Sequence, residues 1–139
     1  MTTLNVEVNA GESFGAVVAV LNDYFDGIYF GDTSILARVF HPDAMLACAT
    51  GGTLLQLGMD QFFPVVEKRA APASFGQPRL DRIVAIEFAG PGLAIARVEC
   101  AILPKRFVDS LTLILIEGRW QIISKAFHFE IDADVVASK

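Results

Sequence analysis

The segment 104–131 constrains the fold most, because it reads as one long β-hairpin. It is rich in β-branched and aromatic residues and is interrupted once, at Glu117-Gly118, a pair suited to a two-residue hairpin turn. If these two residues form the turn, Ile116 faces Arg119 and every earlier residue of the first strand acquires a fixed partner. The sequence therefore predicts two paired strands with a defined register.

One face of this predicted hairpin combines an apolar wall with an acid and an imidazole. Side chains alternate along a strand, so in this register Asp109 faces Ala126, Phe107 faces His128, and the acid and the imidazole lie a diagonal step apart. The same face carries Leu111, Leu113, Leu115, Trp120, Ile122 and Ser124. Polar groups in an apolar wall are typical of a small-molecule pocket. We therefore predict Asp109 and His128 as catalytic candidates. The predicted ligand contacts on this face are Leu111, Trp120, Ser124 and Ala126.

The opposite hairpin face is also largely apolar. It carries Val108, Ser110, Thr112, Ile114, Ile116, Ile123, Lys125, Phe127 and Phe129. Hydrophobic residues make up 53% of the chain and charged residues 19%, which is more apolar surface than one small core usually buries. We therefore predict a homodimer through this outer sheet face, with Lys125 as an interface or rim charge rather than a pocket base.

Charge and composition exclude several classes of function. The net charge is −5 with a pI near 4.9, and the eleven basic residues are scattered, which argues against nucleic acid or an anionic membrane as partner. The N-terminus has no basic start followed by an apolar run, so no signal peptide is predicted, and no apolar run is long enough to span a bilayer. A soluble, cytoplasmic protein is the expectation.

The two cysteines and two histidines show no metal-ligand spacing, and there is no glycine-rich phosphate loop. We therefore expect no metal and no cofactor. Cys48 and Cys100 are expected to be free buried thiols, although the sequence leaves a disulfide open.

Three helices are predicted in the first half of the chain. Apolar residues from Phe14 to Ile28 recur at helical spacing, with Ser13 as N-cap and Gly31 as the terminating residue. Asp32 is predicted to cap a short second helix through Phe40. A third helix is predicted from about Gln61, with Pro64 in its first turn, to before Pro72.

Strands dominate the remainder. Gly51-Gly52 predicts a two-residue hairpin between Met45–Thr50 and Thr53–Leu57. Leu80–Phe88 and Leu93–Leu103 flank a Gly-Pro-Gly turn and precede the terminal hairpin. No linker or repeat interrupts the chain, so we predict one domain over residues 1–139. Its fold class is α+β, with helices packed on one face of a curved antiparallel sheet.

Two stretches carry a resemblance to a known superfamily. The run VLNDYFDGIYFGDTSILARVFHPDAMLACATGG and the closing GRWQIISKAFHFE resemble nuclear-transport-factor-2-like proteins, in the lumazine-binding and polyketide-cyclase-like branch. The likeness covers roughly residues 13–130. It implies a cone-shaped sheet wrapped around three helices, a fold that hosts isomerases, dehydratases, cyclases and interaction domains.

Within that superfamily the resemblance to ketosteroid isomerase implies roles for particular positions. Tyr24 takes the place of the tyrosine that stabilises a developing oxyanion. The position of the catalytic base falls on Cys48, which is therefore expected among the ligand contacts of the pocket. This change removes the carboxylate and argues against steroid isomerase activity. The second acid falls on Leu111, with Asp109 one pleat earlier on the same face.

Each candidate has a structural alternative. Asp109 could lie at a frayed strand end, solvated or paired with Lys105 or Arg106, because a buried unpaired carboxylate is costly. His128 could be a half-exposed residue near a strand end, and Tyr24 a core tyrosine with one satisfied hydroxyl.

Three functions remain open. The first is a homodimer that binds a small apolar or aromatic ligand in its cone. The second is an isomerase, dehydratase or cyclase that uses Asp109 or His128 as acid or base and Tyr24 as oxyanion donor. The third is an interaction domain without catalysis.

Overall fold

The computed structural model describes residues 10–132, which form three α-helices, one short 3-10 turn and a six-stranded sheet. The helices are α1 (Ala10–Phe30), α2 (Thr33–Val39) and α3 (Met59–Lys68). The strands are β1 (Phe40–Cys48), β2 (Leu55–Gly58), β3 (Arg82–Phe88), β4 (Leu93–Ile102), β5 (Lys105–Ile116) and β6 (Arg119–Ile131). The predicted α+β class is confirmed.

The strands follow the order β2-β1-β6-β5-β4-β3. All neighbours are antiparallel except β1 and β6, which run parallel. The sheet is therefore mixed, whereas the sequence suggested a purely antiparallel one. The difference arises because β1 and β6 are brought together by the fold and not by a hairpin, so no local turn signal announces their pairing.

Helix α1 packs its apolar stripe against the sheet. Val17, Leu21 and Tyr24 are fully buried, and the Tyr24 ring meets the Phe40 ring of β1 edge-to-face at 5.9 Å. Phe40 in turn meets Phe62 of α3 at 5.8 Å. These contacts place the core between the helices and one face of the sheet, which we call the inner face.

The predicted helix ends are partly correct. Gly31 adopts a left-handed φ of 64° and ends α1, and Asp32 Oδ1 accepts hydrogen bonds from the amides of Ser34 (2.9 Å) and Ile35 (3.2 Å), as a capping residue does. Ser13, however, lies inside α1 and is buried, so its predicted N-cap role is wrong. Helical periodicity identifies the apolar stripe but does not define where a helix begins.

Two further boundaries differ from the predictions. The β1–β2 connection spans residues 49–54 instead of two glycines, because Cys48 already pairs with Leu55. Helix α3 begins at Met59, so Pro64 occupies its sixth position and not its first turn. Pro64 there costs one internal hydrogen bond, which a short helix tolerates when tertiary contacts hold it.

The terminal hairpin follows the predicted register only as far as Ile122. Glu117 and Gly118 form the turn with positive φ values of 51° and 77°, and Leu113 pairs with Ile122 as expected. Ile123 is then an extra residue, because the next pair is Thr112 with Ser124. Beyond this β-bulge, the β6 side chains predicted for one face of the sheet lie on the other. The predicted partners are therefore wrong for the half of β5 that is distant from the turn, from Lys105 to Thr112.

Candidate functional site

A cavity of about 180 Å³ lies between α1, α3 and the inner face of the sheet. Most of its wall is aliphatic or aromatic, with contributions from Ile28, Leu46, Phe62, Ile102, Phe107 and Phe127. A hydroxyl, a guanidinium and two ammonium groups join this wall, from Tyr24, Arg69, Lys105 and Lys125. An apolar enclosure with a few polar groups is the usual composition of a site for a small organic ligand.

Asp109 lies fully buried behind this wall and gathers donors on one oxygen. The Tyr24 hydroxyl donates to Oδ2 at 2.6 Å, the Cys100 thiol lies 3.8 Å from the same oxygen, and the Lys125 ammonium lies 4.0 Å away. Oδ1 is buried without a hydrogen-bond partner among residues 10–132. The carboxyl group therefore has a cation and two donors, and the alternative of a solvated Asp109 paired with Lys105 or Arg106 is wrong.

Lys125 places its ammonium group inside a cage of three aromatic rings. Nζ lies 5.1 Å from the ring centroid of Tyr24, 5.3 Å from that of Phe62 and 5.1 Å from that of Phe127. A buried amine is costly unless it is compensated, and the ring faces together with Asp109 provide that compensation. Lys125 is thus a polar group of the cavity wall, and its predicted place as an interface or rim charge on the outer face is wrong.

Burial keeps the hydroxyl and the thiol beside Asp109 protonated. It raises the pKa of Tyr24 well above its usual value of 10.0, and the nearby charge of Asp109 raises this pKa further. Burial likewise raises the pKa of the Cys100 thiol, with a second contribution from Asp109. Both groups are therefore hydrogen-bond donors at neutral pH, and Cys100 is not a reactive thiolate.

Arg69 and Lys105 supply the remaining positive charge of the wall. Arg69 follows the last residue of α3 and is half-buried, and burial lowers the pKa of its guanidinium below the usual value without removing its charge at neutral pH. Lys105 is exposed and holds its ammonium 4.6 Å from the Phe129 ring centroid. Together with Lys125 they give the wall three cationic groups.

The structure brings two of the three predicted catalytic residues together. Tyr24 and Asp109 are hydrogen-bonded at the cavity, whereas His128 lies on the opposite sheet face, where Nδ1 is 2.8 Å from Thr50 Oγ1. The predicted Asp109–His128 pair is therefore wrong, because the bulge at Ile123 moves His128 outward. A catalytic role for Tyr24 or Asp109 stays a prediction.

None of the predicted ligand contacts lines the cavity. Ser124 and Ala126 lie on the outer face, so their assignment to the pocket is wrong. Leu111, Trp120 and Cys48 are buried, but none of them lines the cavity. Trp120, for example, meets the Phe88 ring at 5.9 Å. Cys48 and Cys100 are free thiols, as expected.

Sequence reasoning did not predict Lys125 or Arg69 as residues of the cavity wall. A signal for Lys125 exists in β6, because its large apolar residues change parity: Trp120 and Ile122 are even-numbered, whereas Phe127 and Phe129 are odd-numbered. Such a change indicates a bulge between the two pairs. Arg69 has no comparable signal, since a basic residue at a helix end is commonly solvent-exposed.

Comparison with solved structures defines the class of protein. The chain superimposes on a nuclear-transport-factor-2-like protein from Silicibacter pomeroyi with a TM-score of 0.78 and 30% identity, covering 88% of this chain and 99% of that one. A second such protein, from Shewanella baltica, gives a TM-score of 0.79 at 25% identity over 88% and 97% of the two chains. The predicted superfamily is thereby confirmed.

The family follows from the sequence match. Residues 12–128 match the family described as "Putative lumazine-binding", and the chain belongs to that family. It is also similar to a protein named aldolase FrzH from Cladobotryum, with 26% identity over 83% of this chain and 90% of that protein. Within residues 10–132, no helix is long and apolar enough to cross a membrane.

Proposed function

We propose that this protein binds a small, largely apolar or aromatic molecule in the cavity between its helices and sheet. The observation that carries this proposal is the cavity itself. It has a volume of about 180 Å³ and a mainly apolar wall, and it lies beside the cluster of Tyr24, Asp109 and Lys125. The Tyr24 hydroxyl donates its one hydrogen to Asp109, whereas the Lys125 ammonium keeps donors that suit an acceptor oxygen of the ligand. Ketones, quinones and oxygenated heteroaromatic rings combine such an oxygen with an apolar body.

Native mass spectrometry of the purified protein and of an Ile102→Trp variant tests this proposal. Ile102 lines the cavity, so a larger ring there fills it. We expect a bound small-molecule mass, or a ligand found by thermal-shift screening, that the variant no longer retains. Ile95→Trp is the matched control, since Ile95 lies on the other face of β4. Ligands that bind the wild type and both variants equally would contradict the proposal.

We also propose that two copies associate through the outer sheet face. Beyond the bulge this face carries Val108 on β5 with Ala126 and His128 on β6, and Val108 is 41% exposed in the isolated chain. Nearer the turn, the face continues with Ile114 and Ile116. Within residues 10–132 no helix covers this partly apolar face, and a sheet-to-sheet contact would bury it.

Light scattering after size-exclusion chromatography tests the association. We expect a dimeric mass for the wild type and a monomeric mass for Val108→Lys. Phe75→Lys changes another exposed apolar residue, 50% exposed and outside the sheet, and should remain dimeric. A monomeric wild type, or an unchanged mass for Val108→Lys, would contradict the association.

A second candidate function is an enzyme acting on a carbonyl compound. The similarity to aldolase FrzH favours it, together with the position of Tyr24 and Lys125 on the cavity wall. The Lys125 ammonium would stabilise negative charge that develops on the carbonyl oxygen, joined by the Tyr24 hydroxyl once it turns from Asp109 to the ligand. The Asp109 carboxylate would accept a proton from the adjacent carbon. In this arrangement Lys125, and not the predicted His128, lies beside Asp109.

Proton exchange in deuterated water separates the two functions. A ketone that the enzyme activates would exchange the hydrogens next to its carbonyl, as proton NMR would show, and Tyr24→Phe and Asp109→Asn would slow this exchange while remaining folded. A ketone that binds in the cavity but keeps its hydrogens would exclude the enzyme and leave ligand binding.

A further inference from the structure

We infer that the cavity ligand carries an anionic oxygen group and that Arg69 binds this group. The inference rests on the proposed ligand-binding function and specifies the chemistry of the ligand. It follows from three observations: the position of Arg69 on the wall, the absence of an internal partner for it, and the sign of the charge around the cavity.

Arg69 lines the cavity at the end of α3, and none of the described residues is a partner for its side chain. Its guanidinium makes no hydrogen bond or ion pair with any residue between 10 and 132, although it is half-buried. Four other arginines do have such partners, namely Arg79, Arg82, Arg106 and Arg119. Arg79, for example, pairs with Asp26 at 3.0 Å and with Asp81 at 2.9 Å. A guanidinium presents a planar fork of donors that matches a carboxylate or a similar oxyanion.

The charge of the wall points to the same ligand. The cavity is lined by Arg69, Lys105 and Lys125 and by no carboxylate among the described residues. Asp109 lies behind the wall and is already engaged by Tyr24, Cys100 and Lys125, so it offsets only one of these charges. This concentration of positive charge occurs in a chain whose net charge is −5. An apolar enclosure strengthens its attraction for an anion, because water screens it poorly there.

The three cations have different roles in this arrangement. Lys125 is held by its aromatic cage and by Asp109, so it is committed to the inner end of the cavity. Arg69 alone among them combines partial burial with unoccupied donors. We therefore place the anionic group of the ligand at Arg69 and its apolar or aromatic body against Phe62 and Phe127.

Two fluorescent probes of similar shape but different charge test the inference. Anilinonaphthalene sulfonate carries one negative charge, N-phenylnaphthylamine is neutral, and both become brighter in apolar surroundings. We expect the anionic probe to bind the wild type more tightly. Arg69→Met should weaken it about tenfold or more while changing the neutral probe little, since a hydrogen bond to a charged group is lost. Higher salt should weaken only the anionic probe.

Two further variants distinguish a failure of the inference about the anion from a failure of the proposed function. Arg97→Met removes an exposed arginine from the opposite face of β4 and should change neither probe. Ile102→Trp should abolish the binding of both. If Ile102→Trp affects neither probe, the cavity is not the binding site and the proposed function fails. If it abolishes both while Arg69→Met leaves their affinity ratio unchanged, ligand binding stands and the inference about the anion is overturned.

Discussion

Tyr24 on α1 and Asp109 on β5 are joined by a hydrogen bond of 2.6 Å, although 85 residues separate them in the sequence. Both side chains are fully buried, and the bond connects the longest helix to the centre of the sheet. Because Tyr24 also lines the cavity, the same side chain contributes to the core and to the cavity wall. Stability and binding are therefore coupled at this residue.

Replacing Tyr24 by Phe should lower the free energy of unfolding by about 1–3 kcal/mol, because a buried acceptor loses its short donor. Urea unfolding measures this loss. A double-mutant cycle with Asp109→Asn should give a coupling energy above roughly 0.5 kcal/mol, as expected for two residues in direct contact. Additive effects of the two substitutions would show that the bond contributes nothing to stability.

Stability should also fall at alkaline pH because of Tyr24. Burial raises the folded-state pKa of its hydroxyl above 10.0, so the unfolded chain loses this proton first. The contribution of Tyr24 is complete below about pH 10 and is lost as the pH rises from there through the folded-state pKa. Chemical denaturation between about pH 9 and 11 should show a steeper decline for the wild type than for Tyr24→Phe. Parallel curves for the two proteins would contradict this assignment.

Replacing Lys125 by Met should destabilise the protein by about 3 kcal/mol, because Asp109 then keeps a buried charge without its cation. Adding Asp109→Asn should restore part of this loss. Lys105→Met removes an exposed lysine that also lies over an aromatic ring, and should cost about 1 kcal/mol or less. Equal losses for the two lysine variants, measured by urea unfolding, would mean that burial of Lys125 has no energetic consequence.

The hairpin turn offers a stabilising substitution. Glu117 has a φ of 51°, a left-handed conformation that costs an ordinary residue about 1–2 kcal/mol and that asparagine tolerates better. Glu117→Asn should therefore raise the melting temperature, with a gain of roughly 0.5–1 kcal/mol. Gly118→Ala, at a φ of 77°, should lower it and provides the contrast. Calorimetry that finds the two changes in the same direction would argue against this turn conformation.

Much of the fold was predictable because its signals are local. The apolar stripe of α1, the cap at Asp32 and the turn at Glu117-Gly118 each depend on residues within a few positions of one another. The parallel contact between β1 and β6 was not predictable in this way. It joins Leu46 to Lys125 across most of the chain, and no turn between them specifies it.

The candidate site was only half predictable for the same reason. Tyr24 and Asp109 stand out as polar groups among apolar neighbours, and the structure brings them together. The partner of Asp109 was predicted to be His128, but the extra residue Ile123 turns Lys125 inward instead. The position of one residue in the pairing of two strands thus decided which cation lies beside the acid.

The sequence by itself determined the α+β class, the apolar stripe of the first helix, the terminal hairpin and the presence of an acid in an apolar strand. These follow from side-chain periodicity and turn geometry, which act over a few residues. Only the tertiary structure decided which face of β6 is inside. That choice depends on packing Phe127 against the core and on pairing the Asp109 charge, and both involve elements that are distant along the chain.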